Sequence, residues 1–335
     1  MAMKNDLFIL AGDAMATRFE VALHGCDETY LRSAAEEALA EITRLDRLLS
    51  FYRPTSLLAE ANREAFRRPV KLTPEVFELV QQAMELSQRT DGRFDITVAP
   101  LVQLWARHSE NSTTPSDGDI AAALGAVGSH HIQLNRDDRT IRFDHAAACI
   151  NAGSIGKGYA LHKAWEILMD LEVPHGLIQG GTSSIIAWGE SPEGTPWKIA
   201  VQRPESTRAW NPFQLPVESA AVESQNSLEV ITLDGTSLSI SSIWGRGYYS
   251  EDRYLGHVID PATGWPVDHS QLAAVIHTNG AAADALSTAF ILAGPESVAD
   301  LEENFPECQG FIYHNDSTPV RHLNRDPGDT DGNAT

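Results

Sequence analysis

The sequence predicts an α+β fold in one large domain, and three observations carry that expectation. Segments of strand character run together between a few amphipathic helices instead of alternating with them as a βαβ chain would. The length of 335 residues lies near the size at which a single core stops growing. Apolar residues make up 42% and charged residues 21%, a globular balance that supports a buried core.

From Thr29 to Ser50, Leu31, Ala35, Ala38, Ile42, Leu45 and Leu49 recur at three- and four-residue steps and predict a helix with one buried face. A second helix is expected from Pro74, with Thr73 as its cap, Val76, Leu79, Ala83 and Leu86 inward and Asp91-Gly92 as its stop. A third covers about Ser154 to Leu171, burying Leu161, Ala164, Leu168 and Leu171 ahead of Pro174. A fourth covers Ala281 to Leu292. RFEVAL, TIRFD, GLIQGG, WKIAVQ, LEVITL, TSLSIS, HVID and AAVIHT read as strands, and one more is expected to end at Ile150. The tract ESTRAWNPFQLPVES reads as an inserted loop. Residues 1–323 are thus expected to fold as one unit, and the Asp-, Gly- and Pro-rich stretch 324–335 to form a disordered acidic tail.

Charge narrows the function classes. Lys plus Arg number 25 against 46 Asp plus Glu, and a net charge of −21 would repel a phosphate backbone, which argues against generic nucleic-acid binding. Cys26, Cys149 and Cys308 are odd in number and widely spaced, so neither a disulfide framework nor a zinc knuckle is suggested. No segment has the length of a secretory signal or a membrane span, so a cytoplasmic protein is expected.

The segment INAGSIGKGYALHKA places Gly153, Gly156 and Gly158 around the start of the third helix. Glycine permits close backbone approach, and a helix N-terminus offers N–H groups and a favourable dipole to an anion, with Lys157 adding positive charge. From spacing alone, a phosphate cradle and a plain helix-start turn with a solvated lysine are equally good readings. Gly180-Gly181 is a second place for close approach, or a tight turn. Asp284 and Thr288 lie four apart on one helical face; two oxygen donors are too few for a cage but suit magnesium, which completes its shell with water and phosphate, and without a phosphate cradle a helix-surface Asp with a Thr bonding back to a carbonyl is the better reading. His257, before Asp260-Pro261, is a candidate proton acceptor or phosphate donor.

Taken in order, SFYRPTSLLAEAN, DGRFDITVAPLVQLW, INAGSIGKGYALHKA, GLIQGG, PWKIAV, GHVIDPATGWP and ADALSTAFILAG resemble the ApbE family, the FAD:protein FMN transferases, from about Met15 to Phe311. The resemblance implies a single T-fold-related domain of two lobes with a flavin cleft between them. It implies that Met15, Tyr52, Arg93, Phe94 and Asp95 line the flavin and adenylate site, together with Lys157, Gly180, Gly181, Thr182 and Asn151, the last standing where the family has Asp. It also implies magnesium on Asp284 and Thr288, completed at Ser154, with Asp284 and His257 as catalytic residues. The implied reaction moves FMN from FAD to a Thr or Ser hydroxyl of an acceptor flavoprotein and releases AMP. The sequence departs from the family pattern at Asn151, His162, Thr182 and Ser241-Ser242-Ile243, where the family has Thr-Ser-Gly. Those departures leave open an FAD pyrophosphatase giving FMN and AMP, and a flavin-binding protein without turnover. The end of the chain, Asp331-Gly332-Asn333-Ala334-Thr335, loosely resembles the family's acceptor motif, which would make Thr335 a target for self-modification.

Overall fold

The computed structural model describes residues 7–204, 213–214, 227–244, 247–251, 253–294, 297–314 and 320–324. Strands β1 (Phe8–Ala14) and β2 (Thr17–His24) form a hairpin and lead into helix α1 (Glu28–Leu49). There follow α2 (Leu57–Glu64), β3 (Val70–Lys71), α3 (Pro74–Arg89), α4 (Ala99–Ser109), α5 (Asp117–Leu124), β4 (Ile132–Asn135) and β5 (Thr140–Phe143). Helix α6 (Gly156–Asp170) precedes β6 (His175–Gly180), β7 (Ser184–Trp188), β8 (Trp197–Gln202), β9 (Phe213–Gln214), β10 (Ser227–Leu233) and β11 (Thr236–Ser242). The chain ends through β12 (Gly247–Ser250), β13 (Arg253–Gly256), β14 (Leu272–His277), α7 (Gly280–Leu292), α8 (Val298–Asn304), β15 (Gln309–Tyr313) and β16 (Arg321–Leu323).

Eight strands form one antiparallel sheet in the order β1-β2-β6-β7-β11-β14-β15-β16. Helices α1, α6 and α7 cover one face, where Phe19, Val21, Ile178, Ile186 and Val275 meet Ala35, Ile42, Leu161, Ala164 and Leu286. A small sheet of order β10-β8-β9 covers the other face, where Leu177, Ile185, Leu238 and Ala274 meet Ile199, Val201 and Leu233. Burial on both faces explains why SIIAW and LAAVI are apolar at nearly every position although their strands are antiparallel. A third cluster joins α4 and α5 to Leu255 and Ile259.

The four expected helices are present. The buried stripe of α1 holds all six expected residues, capped by the Asp27 side chain on Thr29 N. Thr73 occupies the cap position of α3 but makes no side-chain cap bond, and Pro74 carries the helix start. Helix α6 begins at Gly156 rather than Ser154. Ile155, at φ −145°, breaks the path between it and a separate 3₁₀ turn over Ala152–Ser154. Helices α2, α4, α5 and α8 were not expected; three of the four have eight residues or fewer, too short to show a repeating stripe.

Two expected strands are absent. HVID is irregular apart from an Ile259–Pro266 bridge, and the true strand, β13, stops at Gly256. Asp260 ends the extended path by accepting from Ala262 N at 2.8 Å and Thr263 Oγ1 at 2.9 Å, a turn that its own side chain builds. The segment ending at Ile150 is not a strand either. Asn62 serves both backbone groups of Ile150, donating from Nδ2 to its carbonyl at 2.9 Å and accepting its N–H at 2.8 Å. Replacing Asn62 by Ala orphans two buried backbone groups, and a loss of about 2–4 kcal/mol is expected in a urea melt. Of the expected loop ESTRAWNPFQLPVES only the backbone of β9 is described, and Thr335 lies outside the described residues, as does the expected tail except Asn324. Asn324 Nδ2 donates to the carbonyls of Phe305 and Cys308.

Burial holds the imidazoles of His24, His162, His269 and His277 below their ordinary value of 6.5. The unfolded chain therefore takes up protons as pH falls through that value, and the folded chain does so only at lower pH. This contribution to stability is whole above the ordinary value and is lost as the pH falls from about 7 toward 5. Melting temperatures at stepped pH are expected to decline across that window.

Candidate functional site

The site grows from the crossing of α6 and α7. Glycine faces glycine there. A Cβ on Gly158 would lie 2.7 Å from the Gly280 carbonyl carbon and 2.8 Å from Asp284 Cβ, closer still to the Gly280 carbonyl oxygen. Only the absence of a side chain lets the helices approach this far. The approach puts the N-terminal turn of α6 against Asp284, which is 4% exposed.

Asp284 is buried among donors. Gly158 N donates to Oδ2 at 3.0 Å, Ser239 Oγ donates to Oδ1 at 3.1 Å, and the Lys157 ammonium lies 3.9 Å from Oδ2. Lys157 also donates to the Gly153 carbonyl at 3.4 Å, so its charge stays over the glycine-rich turn. One turn further along α7, half-buried Thr288 shares a 3.2 Å hydrogen bond with Ser241. Among the described residues no group of three or more His, Cys, Asp or Glu side chains gathers as a metal cage. What gathers instead is one carboxylate with hydroxyls, an oxygen-only set that fits a hard cation whose remaining ligands come from water and phosphate.

Several other candidates lie around this centre. Asn151 accepts from Gly153 N at 2.8 Å and so shapes the 3₁₀ turn that ends at half-buried Ser154. The turn at Gly181, with φ +61°, receives β6 and sends out β7; exposed Thr182 is its tip, and the Ser183 carbonyl accepts from Ile240 N and Ser239 Oγ. Gly181 N donates to Arg18 O at 2.8 Å, which sets this turn beside the Met15-Ala16 turn of the first hairpin. Met15 N is held by Asp46, which also takes Arg53; the neighbouring Tyr52 is 81% exposed.

The DGRFDIT segment behaves differently. Its backbone joins the site, since Asn151 N donates to the Ile96 carbonyl at 2.8 Å. Its side chains turn elsewhere: Phe94 is in the core, Arg93 donates to the Thr90 carbonyl, and Asp95 accepts from Ser87, Thr97 and Ser129. Asp95 borders a separate cavity of about 770 Å³ that also touches Gln88, Ser129, His130 and Arg136. His257 is exposed directly after Gly256, whose Cβ position would meet the Ile243 carbonyl at 2.9 Å. Ile243 is buried and its φ is not positive, so the residue standing for the family's glycine is accommodated as a core side chain.

Sequence reasoning missed Ser239 and Asn62. The signal for Ser239 was legible: TSLSIS alternates serine with Leu238 and Ile240, and serines on the face turned to a helix need partners there.

Fold and site define a mixed helix-and-sheet protein in which a buried carboxylate meets a lysine, hydroxyls and a glycine-rich helix start, a set suited to a cation and a phosphate-bearing ligand. Comparison with known proteins identifies the family and the fold. The ApbE family profile matches residues 15–312. The "FAD:protein FMN transferase" of Klebsiella pneumoniae (strain 342) is 28% identical over 294 residues, covering 86% of this chain and 79% of that protein. The protein of the same name from Escherichia coli (strain K12) is 25% identical over 302 residues, covering 88% and 81%. Among solved structures, the ApbE protein of Thermotoga maritima superposes with a TM-score of 0.80 at 22% identity, covering 96% of this chain and all of that one. The Pseudomonas stutzeri flavinyl transferase ApbE, in its apo form, gives 0.77 at 25% identity, covering 96% and 95%. The chain belongs to the ApbE family. Among the described residues no helix is long and apolar enough to cross a membrane.

Proposed function

We propose that this chain is a magnesium-dependent FAD:protein FMN transferase, acting in the cytoplasm on a Thr or Ser hydroxyl of an acceptor flavoprotein. The observation that carries the reading is the buried Asp284 carboxylate between the glycine-rich start of α6, with Lys157, and the hydroxyls of β11. Family membership supplies the substrate.

In this reading Asp284 and Thr288, with Ser154 nearby, hold magnesium, which when bound withdraws charge from the FAD pyrophosphate. Lys157 and the α6 N-terminus bind the phosphates, and the turns at Met15 and Gly180-Gly181-Thr182 border the flavin, with Tyr52 above them. Asn151 fixes the turn under the phosphates by its bond to Gly153 N. Arg93, Phe94 and Asp95 support Asn151 through the Ile96 carbonyl. The acceptor hydroxyl oxygen bonds to the FMN phosphorus and gives its proton to His257. The bond from that phosphorus to the bridging oxygen breaks, and AMP leaves.

The test is incubation with FAD, magnesium and a candidate acceptor, read by flavin fluorescence of the acceptor in a gel and by release of AMP. Labelled acceptor with equimolar AMP is the expected result. AMP and FMN without label would replace the reading by a pyrophosphatase, and bound FAD with neither product by a flavin carrier.

A further inference from the structure

We infer that Ser239 is a positioning residue that fixes the Asp284 carboxylate, an inference resting on the reading of Asp284 as the carboxylate that holds the metal. Two periodicities match between β11 and α7. Alternate residues of a strand lie about 6.6–6.8 Å apart, and residues four apart in a helix rise about 6.0 Å. A strand running alongside a helix can therefore match every second residue to every fourth. β11 does so with α7: Ser237 lies opposite Gly280, Ser239 bonds to Asp284, and Ser241 bonds to Thr288. Leu238 and Ile240 point to the opposite core.

Ser239 is 1% exposed and has one proton to give. Its oxygen lies 3.1 Å from Asp284 Oδ1 and 3.2 Å from the Ser183 carbonyl, and the charged oxygen is the stronger acceptor. Gly158 N holds the other carboxylate oxygen. Two donors on two oxygens fix the rotation of the group while leaving each oxygen a lone pair for a cation. Gly158 supplies its share from the backbone, so Ser239 is the side chain by which this sequence sets the orientation.

Ser237 provides a matched control. It sits on the same strand and face, is 3% exposed, faces a glycine instead of a carboxylate, and its hydroxyl has no hydrogen-bond partner among the described residues.

The experiment titrates the full chain, with FAD present, with Mn²⁺ as a paramagnetic probe and reads free Mn²⁺ by electron paramagnetic resonance. Ser239→Ala is expected to weaken Mn²⁺ binding by about 10- to 100-fold, the usual cost of removing a group that orients a metal ligand. Ser239→Cys, slightly larger and only a weak donor, is expected to show the same direction of loss and serves if the alanine variant does not fold. Ser237→Ala is expected to leave the affinity unchanged. Equal affinity in wild type and both Ser239 variants overturns the positioning role while leaving the metal reading intact. An equal loss in Ser237→Ala also overturns it, because the effect is then one of strand packing. A wild-type chain that binds FAD but no Mn²⁺ overturns the metal reading itself.

Discussion

Replacing Asp284 by Asn is expected to lower flavin transfer by about a thousandfold while leaving FAD binding measurable. The substitution keeps the size and one acceptor oxygen but removes the charge on which Lys157 and a divalent cation both depend. With the amide oxygen kept on Gly158 N, the NH₂ group faces Ser239 Oγ, whose proton then goes to the Ser183 carbonyl, so a charge-assisted bond is exchanged for neutral ones. AMP release and acceptor labelling measured beside a thermal melt separate the two effects. A variant that retains transfer within tenfold of wild type would remove Asp284 from the chemistry.

Gly158→Ala is expected to have the largest effect on folding. The added carbon would overlap the Gly280 backbone and crowd Asp284 Cβ, and neither is the flexible end of a side chain. Relief requires α6 and α7, which pack closely along their length, to separate. A loss above about 3 kcal/mol is expected, with poor soluble yield or a strongly lowered melting temperature. A matched Gly92→Ala substitution tests the specificity of the clash. Gly92 has open space around its Cβ position, so only its positive φ resists the change, and a smaller loss is expected.

The helices were legible where their stripes were long. α1 and α3 show every expected residue buried, because two turns or more of apolar spacing leave one solution. The strands of the central sheet were legible by composition, but their order was not. The neighbours β7 and β11 are separated by three strands that pack across the sheet instead, and no local pattern records that. The site was legible in its charged and glycine residues and illegible in its supports. Asp284, Thr288, Lys157 and Asn151 carry chemistry in their residue types, whereas Asn62 and Ser239 act only through partners 88 and 45 positions away. HVID misled because Ile259 fills the core beside α4 and α5 and Val258 the main core without pairing as a strand.

The bond from Gly158 N to Asp284 spans 126 positions of the chain. Such a separation means that no short fragment contains both partners, and that the carboxylate meets its donors only after a long loop has closed. The growing chain thus carries its glycine-rich turn for 126 positions of synthesis without the counter-charge that completes it. The pairing that completes the turn therefore belongs to the packed core, formed where α7 meets α6 and the sheet, and to no local segment of the chain.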